Sequence, residues 1–210
     1  MRTNPDYEMD PADLKRLVRE NPWATLVTHT AAGLTASHYP VLVDESREEL
    51  SLLTHLGRPD DEVLEIGRHE LLMIVQGPHG YLSSSWYGTS PAVPTWNFTV
   101  AHLAGVPEVL TPEENLQVLE QLVDHMERRV PEPRPMLADP VDAAYAHRIS
   151  AGTLGIRLTP TRVTTKAKLS QDKPAEVVER VLARLEQPGP YSSPALAAEM
   201  RRVHGGASRG

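Results

Sequence analysis

The chain of 210 residues contains no cysteine, and this absence removes several kinds of chemistry at once. Without thiols there are no disulfides, no thiolate metal ligands and no cysteine nucleophile. No apolar run approaches the roughly 18 residues of a membrane-spanning helix. The first residues, MRTNPDYEMDPADLKRL, lack the apolar core of a secretory signal. We therefore expect a cytoplasmic protein that does not cross a membrane.

Basic charge and the common catalytic motifs are also scarce. The net charge is -7 and the pI is about 5.7. Because DNA normally binds to a basic face, direct DNA binding is doubtful. The glycine loops GxGxxG and GxxxxGK[ST] are absent, as are HExxH and GxSxG. No closely spaced histidine pair occurs, so we expect no structural metal site.

Aromatic residues make up only 5% of the chain, yet they concentrate in one stretch. Residues 76–102, QGPHGYLSSSWYGTSPAVPTWNFTVAH, contain two of the three Trp and the only Phe, among many Ser and Thr. Buried hydroxyl and amide groups cost free energy unless they are paired. The composition therefore favours a pocket lining, and the alternative is a structural loop packed over a sheet.

The spacing of apolar residues and turn signals predicts six to eight short strands and four or five helices. Residues 70–75 and 80–84 are predicted as separate strands, and TPEE at Thr111 is a capping box that starts a helix. Residues 60–67 are predicted as a short helix, residues 152–165 as a strand pair or one bent strand, and the final GGASRG as a flexible tail. This pattern favours a mainly β chain with peripheral helices (α+β), an antiparallel barrel or sandwich, over a doubly wound sheet. We expect one main domain over residues 1–187, followed by a C-terminal helix and flexible tail over residues 188–210.

Four histidines, His38, His55, His79 and His102, lie in or beside predicted strands. An imidazole on a buried strand needs a hydrogen-bond partner, so each of them is either structural or directed at a ligand. In the second case some converge on a cofactor, as hydrogen-bond donors or as an axial ligand of iron. The spacing does not decide between these alternatives.

Two hydroxyl-rich segments offer further chemistry. Residues 164–173, TTKAKLSQDK, join a predicted strand to a helix, where lysines and hydroxyls hold a phosphate or carboxylate or form a solvated basic loop. One of Ser83, Ser84 and Ser85 could act as a nucleophile with His79 or His102 as its base. Three consecutive serines are more typical of a strand edge or anion contact than of a catalytic triad.

Several sequence blocks together resemble the PaiB family. They are NPWATLVTH (21–29), ASHYPVLVD (36–44), THLGRP (54–59), GPHGYLSSSWY (77–87), VPTWNF (93–98) with His102, and KLSQDKP (168–174). The resemblance covers roughly residues 21–185. Members of this family are described as FMN-binding negative transcriptional regulators. Their fold is an antiparallel split β-barrel of the flavin-reductase and pyridoxamine-phosphate-oxidase type.

The resemblance implies a homodimer with FMN at the seam between the copies, acting as a regulator or a flavin-dependent redox protein. The FMN phosphate is expected near Lys168 or Ser170 and the flavin ring on Trp86 or Trp96. Regulation would act indirectly or through a small patch at Arg201–Arg202. The cofactor-binding residues that follow are His38, His55, Arg58, His79, Tyr81, Ser83, Ser85, Trp86, Thr95, Trp96, Asn97, His102, Lys168, Ser170 and Gln171.

Two departures keep other functions open. After His55 the chain reads LGRPDDE, where the family commonly has Arg-Ala-Asn-Pro, and the link over residues 88–94 is short. The short link and PTWNF are similar to the heme-dependent piperazate synthases, which form an N–N bond on N-hydroxylated ornithine. That resemblance implies heme b with His55, His79 or His102 as axial ligand. A third possibility is a dimeric sensor without cofactor, so the sequence leaves open whether the chain is an enzyme.

Overall fold

The computed structural model describes Met1 and residues 4–206 of the chain. Short 3₁₀ turns at Pro5–Tyr7 and Ser84–Trp86 accompany the regular elements. In chain order these are α1 (Pro11–Glu20), β1 (Trp23–Thr30), β2 (Gly33–Val43), β3 (Leu52–Gly57), α2 (Asp60–Val63), β4 (Leu71–Leu82), β5 (Thr95–Gly105), β6 (Glu108–Val109), α3 (Pro112–Glu127), α4 (Pro140–Ser150), β7 (Thr153–Leu158), β8 (Arg162–Lys168), α5 (Ala175–Glu186) and α6 (Pro194–Gly206).

The strands form one eight-stranded sheet in the order β6-β7-β3-β2-β1-β4-β5-β8. Every neighbouring pair from β6 to β4 is antiparallel. Buried and more exposed residues alternate along β1, so only one face of this strand is buried. One buried and one accessible face is typical of antiparallel sheets. The prediction of an antiparallel sheet with peripheral helices, rather than a doubly wound sheet, is therefore confirmed.

The chain divides into two compact units. The first contains the described parts of Met1–Asp10 and Thr164–Gly210, together with Gln76–Ala101. The second contains Pro11–Val75 and His102–Val163. The predicted division into residues 1–187 and 188–210 does not coincide with these two units, and it stays a prediction.

In the first unit, helices α5 and α6 pack around Leu82 and Tyr87. The inward face of α5 repeats at helical spacing through Val178, Val181 and Leu185, which is why this segment is a helix with one buried side. Burying a side chain of this size contributes about 1.5–3 kcal/mol. The C-terminal helices are therefore part of this unit's core.

In the second unit, α3 covers strands β2 and β3 through a small apolar cluster that includes Leu42, Leu53 and Leu122. The predicted capping box is confirmed, because the Thr111 hydroxyl accepts from the Glu114 N–H and the Glu114 carboxylate accepts from the Thr111 N–H. These two bonds satisfy backbone donors that the first helical turn leaves free.

Three local predictions differ from the structure. Residues 70–75 and 80–84 are not separate strands, since β4 runs without a break through Gly77 and Pro78. A proline removes one N–H donor, but strand pairing is decided by neighbouring strands as well as by local breakers. The expected helix of residues 60–67 ends at Val63. Residues 152–165, predicted as a strand pair or one bent strand, form β7 and the start of β8, and these two strands are not neighbours in the sheet. Strand β7 lies between β6 and β3, whereas β8 lies beside β5.

The predicted flexible tail begins at Gly205, but Gly205 and Gly206 belong to α6, and residues 207–210 lie outside the described residues. Among the residues that the structure describes, no helix combines the length and apolar character needed to cross a bilayer.

Candidate functional site

The first unit brings the start of β5 to the end of β8. The Lys168 ammonium donates a hydrogen bond to the Thr95 hydroxyl, although the two residues are separated by 73 positions. The next residue, Trp96, exposes 55% of its surface. The end of β8 and the start of β5 therefore carry a cation and a hydroxyl, and the next position of β5 carries an exposed indole. An ammonium group and a hydroxyl can bind a phosphate, and an exposed aromatic ring can stack on a planar ring.

Aromatic rings extend this cluster. The Tyr81 ring meets Trp96 edge-on with ring centroids 6.0 Å apart, and it lies 4.9 Å from the ring of Tyr191. Tyr191 is 52% exposed although it sits in a turn held by hydrogen bonds to the end of α5. Sequence reasoning missed Tyr191, because no periodic pattern or motif in the turn between α5 and α6 marks it as a neighbour of β4.

Beneath this surface, Asn97 and Ser170 are buried and bonded to each other. The Asn97 amide donates to the Ser170 hydroxyl at 2.9 Å and to the Met200 sulfur at 3.5 Å. Ser170 has a φ of 65°, in the left-handed region that a serine rarely adopts. The Asn97 bond therefore helps to hold a strained turn two residues after Lys168.

The other predicted residues of this unit have structural partners. The Gln171 side chain folds back onto its own loop, accepting from the Leu169 N–H at 2.7 Å and donating to the Ala167 carbonyl at 2.6 Å. The Ser83 hydroxyl caps the following 3₁₀ turn and lies 2.9 Å from the Ser85 hydroxyl. The structure therefore gives Gln171 and Ser83 roles in shaping the backbone.

Two further predicted residues of the first unit differ in their surroundings. Trp86 is partly buried and packs against the core of α5 and α6. Its indole is therefore less available to a ligand than that of Trp96. The His79 Nδ1 atom lies 3.0 Å from the Gln76 amide nitrogen and 3.2 Å from the Gly77 carbonyl.

The second unit holds four predicted residues, of which His55 has the most unusual environment. It lies in β3 and lines a cavity under α3 and α4. Burial lowers the pKa of His55 below that of an ordinary imidazole. Among the described residues neither ring nitrogen makes a hydrogen bond, and Nδ1 is buried without a partner. An imidazole left unpaired in this way is a candidate for binding a ligand.

A polar group that sequence reasoning did not select lies next to His55. The Tyr39 hydroxyl donates to the Asp60 carboxylate at 2.5 Å, and the Tyr39 ring meets the His55 ring edge-on at 6.5 Å. Burial, together with the hydrogen bond to Asp60, raises the pKa of Tyr39. The ASHYPVLVD block contains Tyr39, but its role depends on Asp60, which comes 21 positions later.

The remaining predicted residues of the second unit are less suited to bind an anion. Arg58 forms an ion pair with Asp61 at 2.6 Å, which compensates its charge. His38 is exposed and stacks on Trp23 with the ring planes 13° apart. His102 lies in β5, and burial lowers its pKa.

Comparisons with known proteins place these features in a family. The model of the family described as "Putative FMN-binding domain" matches residues 1–162. The chain belongs to this family. It is 26% identical over 176 residues to the protease synthase and sporulation protein PAI 2 of Bacillus subtilis (strain 168), covering 83% of each chain. This relative is a PaiB protein, so the resemblance read from the sequence blocks is confirmed.

Solved structures confirm the fold. The FAD and heme binding protein from Mycobacterium smegmatis matches with a TM-score of 0.58 at 17% identity, over 90% of this chain and 82% of that one. The flavocytochrome Anf3 from Azotobacter vinelandii matches with a TM-score of 0.56 at 14% identity, over 89% and 77%. At these identities the likeness establishes the split β-barrel fold.

The family match ends before much of the polar cluster in the first unit. Lys168, Ser170 and Tyr191 all follow residue 162, the last residue that the family model covers. Within the described residues, no group of three or more His, Asp or Glu side chains is arranged to hold a metal ion.

Proposed function

We propose that the chain binds FMN on the first unit, as a PaiB-like split-barrel flavoprotein. One observation carries the proposal: the Lys168 ammonium is hydrogen-bonded to Thr95, and Trp96, the next residue of β5, exposes 55% of its surface. Lysine has three N–H donors, so the bond to Thr95 leaves donors for a phosphate. In the described part of the chain, Lys168 forms no ion pair that would compensate its charge.

The donor set fits both ends of FMN. A phosphate dianion suits an ammonium group and a hydroxyl, and charge-assisted hydrogen bonds of this kind are stronger than neutral ones. An isoalloxazine ring is large, planar and apolar on its faces, as an indole is, so Trp96 offers it a stacking surface. The bound flavin would supply electron-transfer chemistry, while these residues bind and orient it.

The test is a titration of FMN into cofactor-free protein, followed by flavin fluorescence, which stacking on an indole quenches. We expect one FMN per chain and a loss of quenching in Trp96→Leu. The matched control is Tyr145→Leu on α4, which removes another aromatic side chain that is 55% exposed. If quenching and affinity were the same in all three proteins, Trp96 would not be the flavin platform.

We also propose that two copies pair through the outer face of β1, β2 and β4. The antiparallel register puts Trp23, Val27, Leu34, Leu72 and Ile74 on this face, with Trp23 63% and Leu34 79% exposed. In the part of this face that the structure describes, no position is Asp, Glu, Lys or Arg, and the polar positions include His29 and His38. Large exposed apolar patches mark interaction surfaces, and an uncharged patch is compatible with itself across a two-fold axis.

We propose that any regulation by this chain is indirect and does not involve DNA binding. The Arg201–Arg202 patch offers little free positive charge, because Arg201 pairs with Glu186 at 2.9 Å and Arg202 with Glu199 at 2.9 Å. The net charge of -7 opposes association with phosphates. Flavin-dependent redox chemistry is therefore a better-supported role than direct repression of a promoter.

Heme binding is the second candidate, and His55 is the observation that favours it. Of the three candidate axial ligands, His79 has hydrogen-bond partners, whereas His55 and His102 have none among the described residues and burial lowers the pKa of both. His55 is favoured because it also lines an apolar cavity. An axial ligand of heme must offer a neutral ring nitrogen. Titration with hemin should then give a Soret band that His55→Ala abolishes and His79→Ala preserves. Activity like that of the piperazate synthases would require this heme.

A further inference from the structure

A cavity of about 520 Å³ lies between α3, α4 and β3 in the second unit. This volume falls within the range of about 300–1,000 Å³ that is usual for small-molecule sites. Its walls are largely apolar and are formed by side chains of both helices and of the connection between them. They include Leu119, Val123, Met136, Tyr145 and Ile149.

His55 is the polar group that distinguishes this cavity from a packing defect. Several other histidines have hydrogen-bond partners, among them His69 with Glu65, His125 with the Arg19 carbonyl and His204 with the Leu169 carbonyl. The His55 imidazole has no such partner among the described residues. Leaving a partly buried polar group unpaired costs free energy, and a bound molecule that pairs with it recovers that cost.

Charge at the rim of the cavity is balanced. Two nitrogens of the Arg134 guanidinium donate to the same oxygen of Asp142, at 3.1 and 2.6 Å. Because the cation and the anion compensate each other, the rim does not favour a charged ligand of either sign. The apolar walls also disfavour an ion.

We propose that this cavity binds an uncharged, apolar ring compound with one hydroxyl group, and that the hydroxyl pairs with His55. A neutral imidazole has one donor and one acceptor nitrogen, and a hydroxyl both donates and accepts, so it satisfies either tautomer. The inference goes beyond the proposed FMN function, whose residues lie in the first unit. It is an alternative to heme at His55, because the same imidazole cannot ligate iron and pair with a hydroxyl through the same nitrogen.

The test compares two probes by isothermal titration calorimetry at pH 7: 2-naphthol and 2-methoxynaphthalene, which has the same ring system but no hydroxyl donor. We expect 2-naphthol to bind about 3- to 10-fold more tightly, the usual effect of one net hydrogen bond. In His55→Leu the two probes should bind equally, because the hydrogen bond is lost while the apolar cavity remains.

A second pair of variants tests the location. Ala146 is buried and lines the cavity, whereas Ala144 is exposed on the same helix. Ala146→Phe should weaken both probes at least 10-fold, and Ala144→Phe should leave them unchanged. Equal affinity of the two probes for the unmodified protein, or a preference for 2-naphthol that persists in His55→Leu, would overturn the proposal. The His55 comparison decides the matter even if Ala146→Phe does not fold.

Discussion

Replacing Lys168 with methionine is the sharpest probe of the proposed flavin site. Lys168→Met keeps most of the length and apolar surface of the side chain but removes its charge and its hydrogen bond to Thr95. The neighbouring Lys166 provides a matched control on the same strand. Its ammonium lies over the rings of Tyr7 and Phe98 at 6.0 and 5.8 Å rather than beside Thr95.

The size of the effect follows from the kind of bond that is lost. A hydrogen bond to a charged group contributes about 1.5–3 kcal/mol, which corresponds to about a 10- to 100-fold change in affinity. Since Lys168 is only partly buried, we expect the lower part of this range. The Kd for FMN should therefore rise about 10-fold in Lys168→Met and hardly change in Lys166→Met.

Riboflavin, which lacks the phosphate, separates this contact from ring stacking. We expect fluorescence titrations with riboflavin to give the same Kd for Lys168→Met and for the unmodified protein. The preference for FMN over riboflavin should also weaken at high salt, because the lost contact is electrostatic. An equal loss for FMN and riboflavin, or an equal loss in both lysine variants, would refute phosphate binding by Lys168.

Three other predictions concern the rest of the molecule. The Asp44 carboxylate is buried, and although burial alone would raise its pKa, hydrogen bonds from Ser46 and Arg157 lower the pKa overall. Asp44 should therefore stabilise the fold above the ordinary carboxyl pKa of about 3.9, and this stability should be lost as the pH falls through its lowered pKa. Asp44→Asn should lower the free energy of unfolding at pH 7 by about 2–4 kcal/mol and flatten its acid dependence, as measured by denaturation in urea. Leu34→Glu should convert a dimer into monomers in analytical ultracentrifugation, whereas Val93→Glu, at an equally exposed position, should not. Fluorescence anisotropy with a random DNA duplex at physiological salt should give a Kd no tighter than about 10⁻⁶ M.

Local sequence patterns predict much of the architecture. The alternation of apolar residues along β1 and the capping box at Thr111 predict elements that the structure contains, because each depends on residues a few positions apart. The continuity of β4 through Pro78 could not be predicted in this way. It depends on pairing with strands that are distant in sequence, and local breaker residues do not report that pairing.

For the candidate site, too, the sequence identifies residues, whereas the fold determines which of them contact each other. Sequence blocks selected Thr95, Asn97, Lys168 and Ser170, and the fold brings them into direct pairs across 73 positions. The pairing also assigns roles that the blocks do not, since Asn97 and Ser170 are buried while Lys168 is partly accessible. Tyr191 escaped selection because a single tyrosine in a turn acquires meaning only from the ring that it contacts.

The most direct test of the central claim is the absorption spectrum of the purified protein after incubation with both FMN and hemin and removal of unbound cofactor by gel filtration. The proposed function predicts flavin absorption that co-elutes with the protein at one FMN per chain and disappears in the Lys168→Met, Trp96→Leu double variant. A protein that elutes without flavin, whether colourless or with a Soret band alone, would contradict the claim.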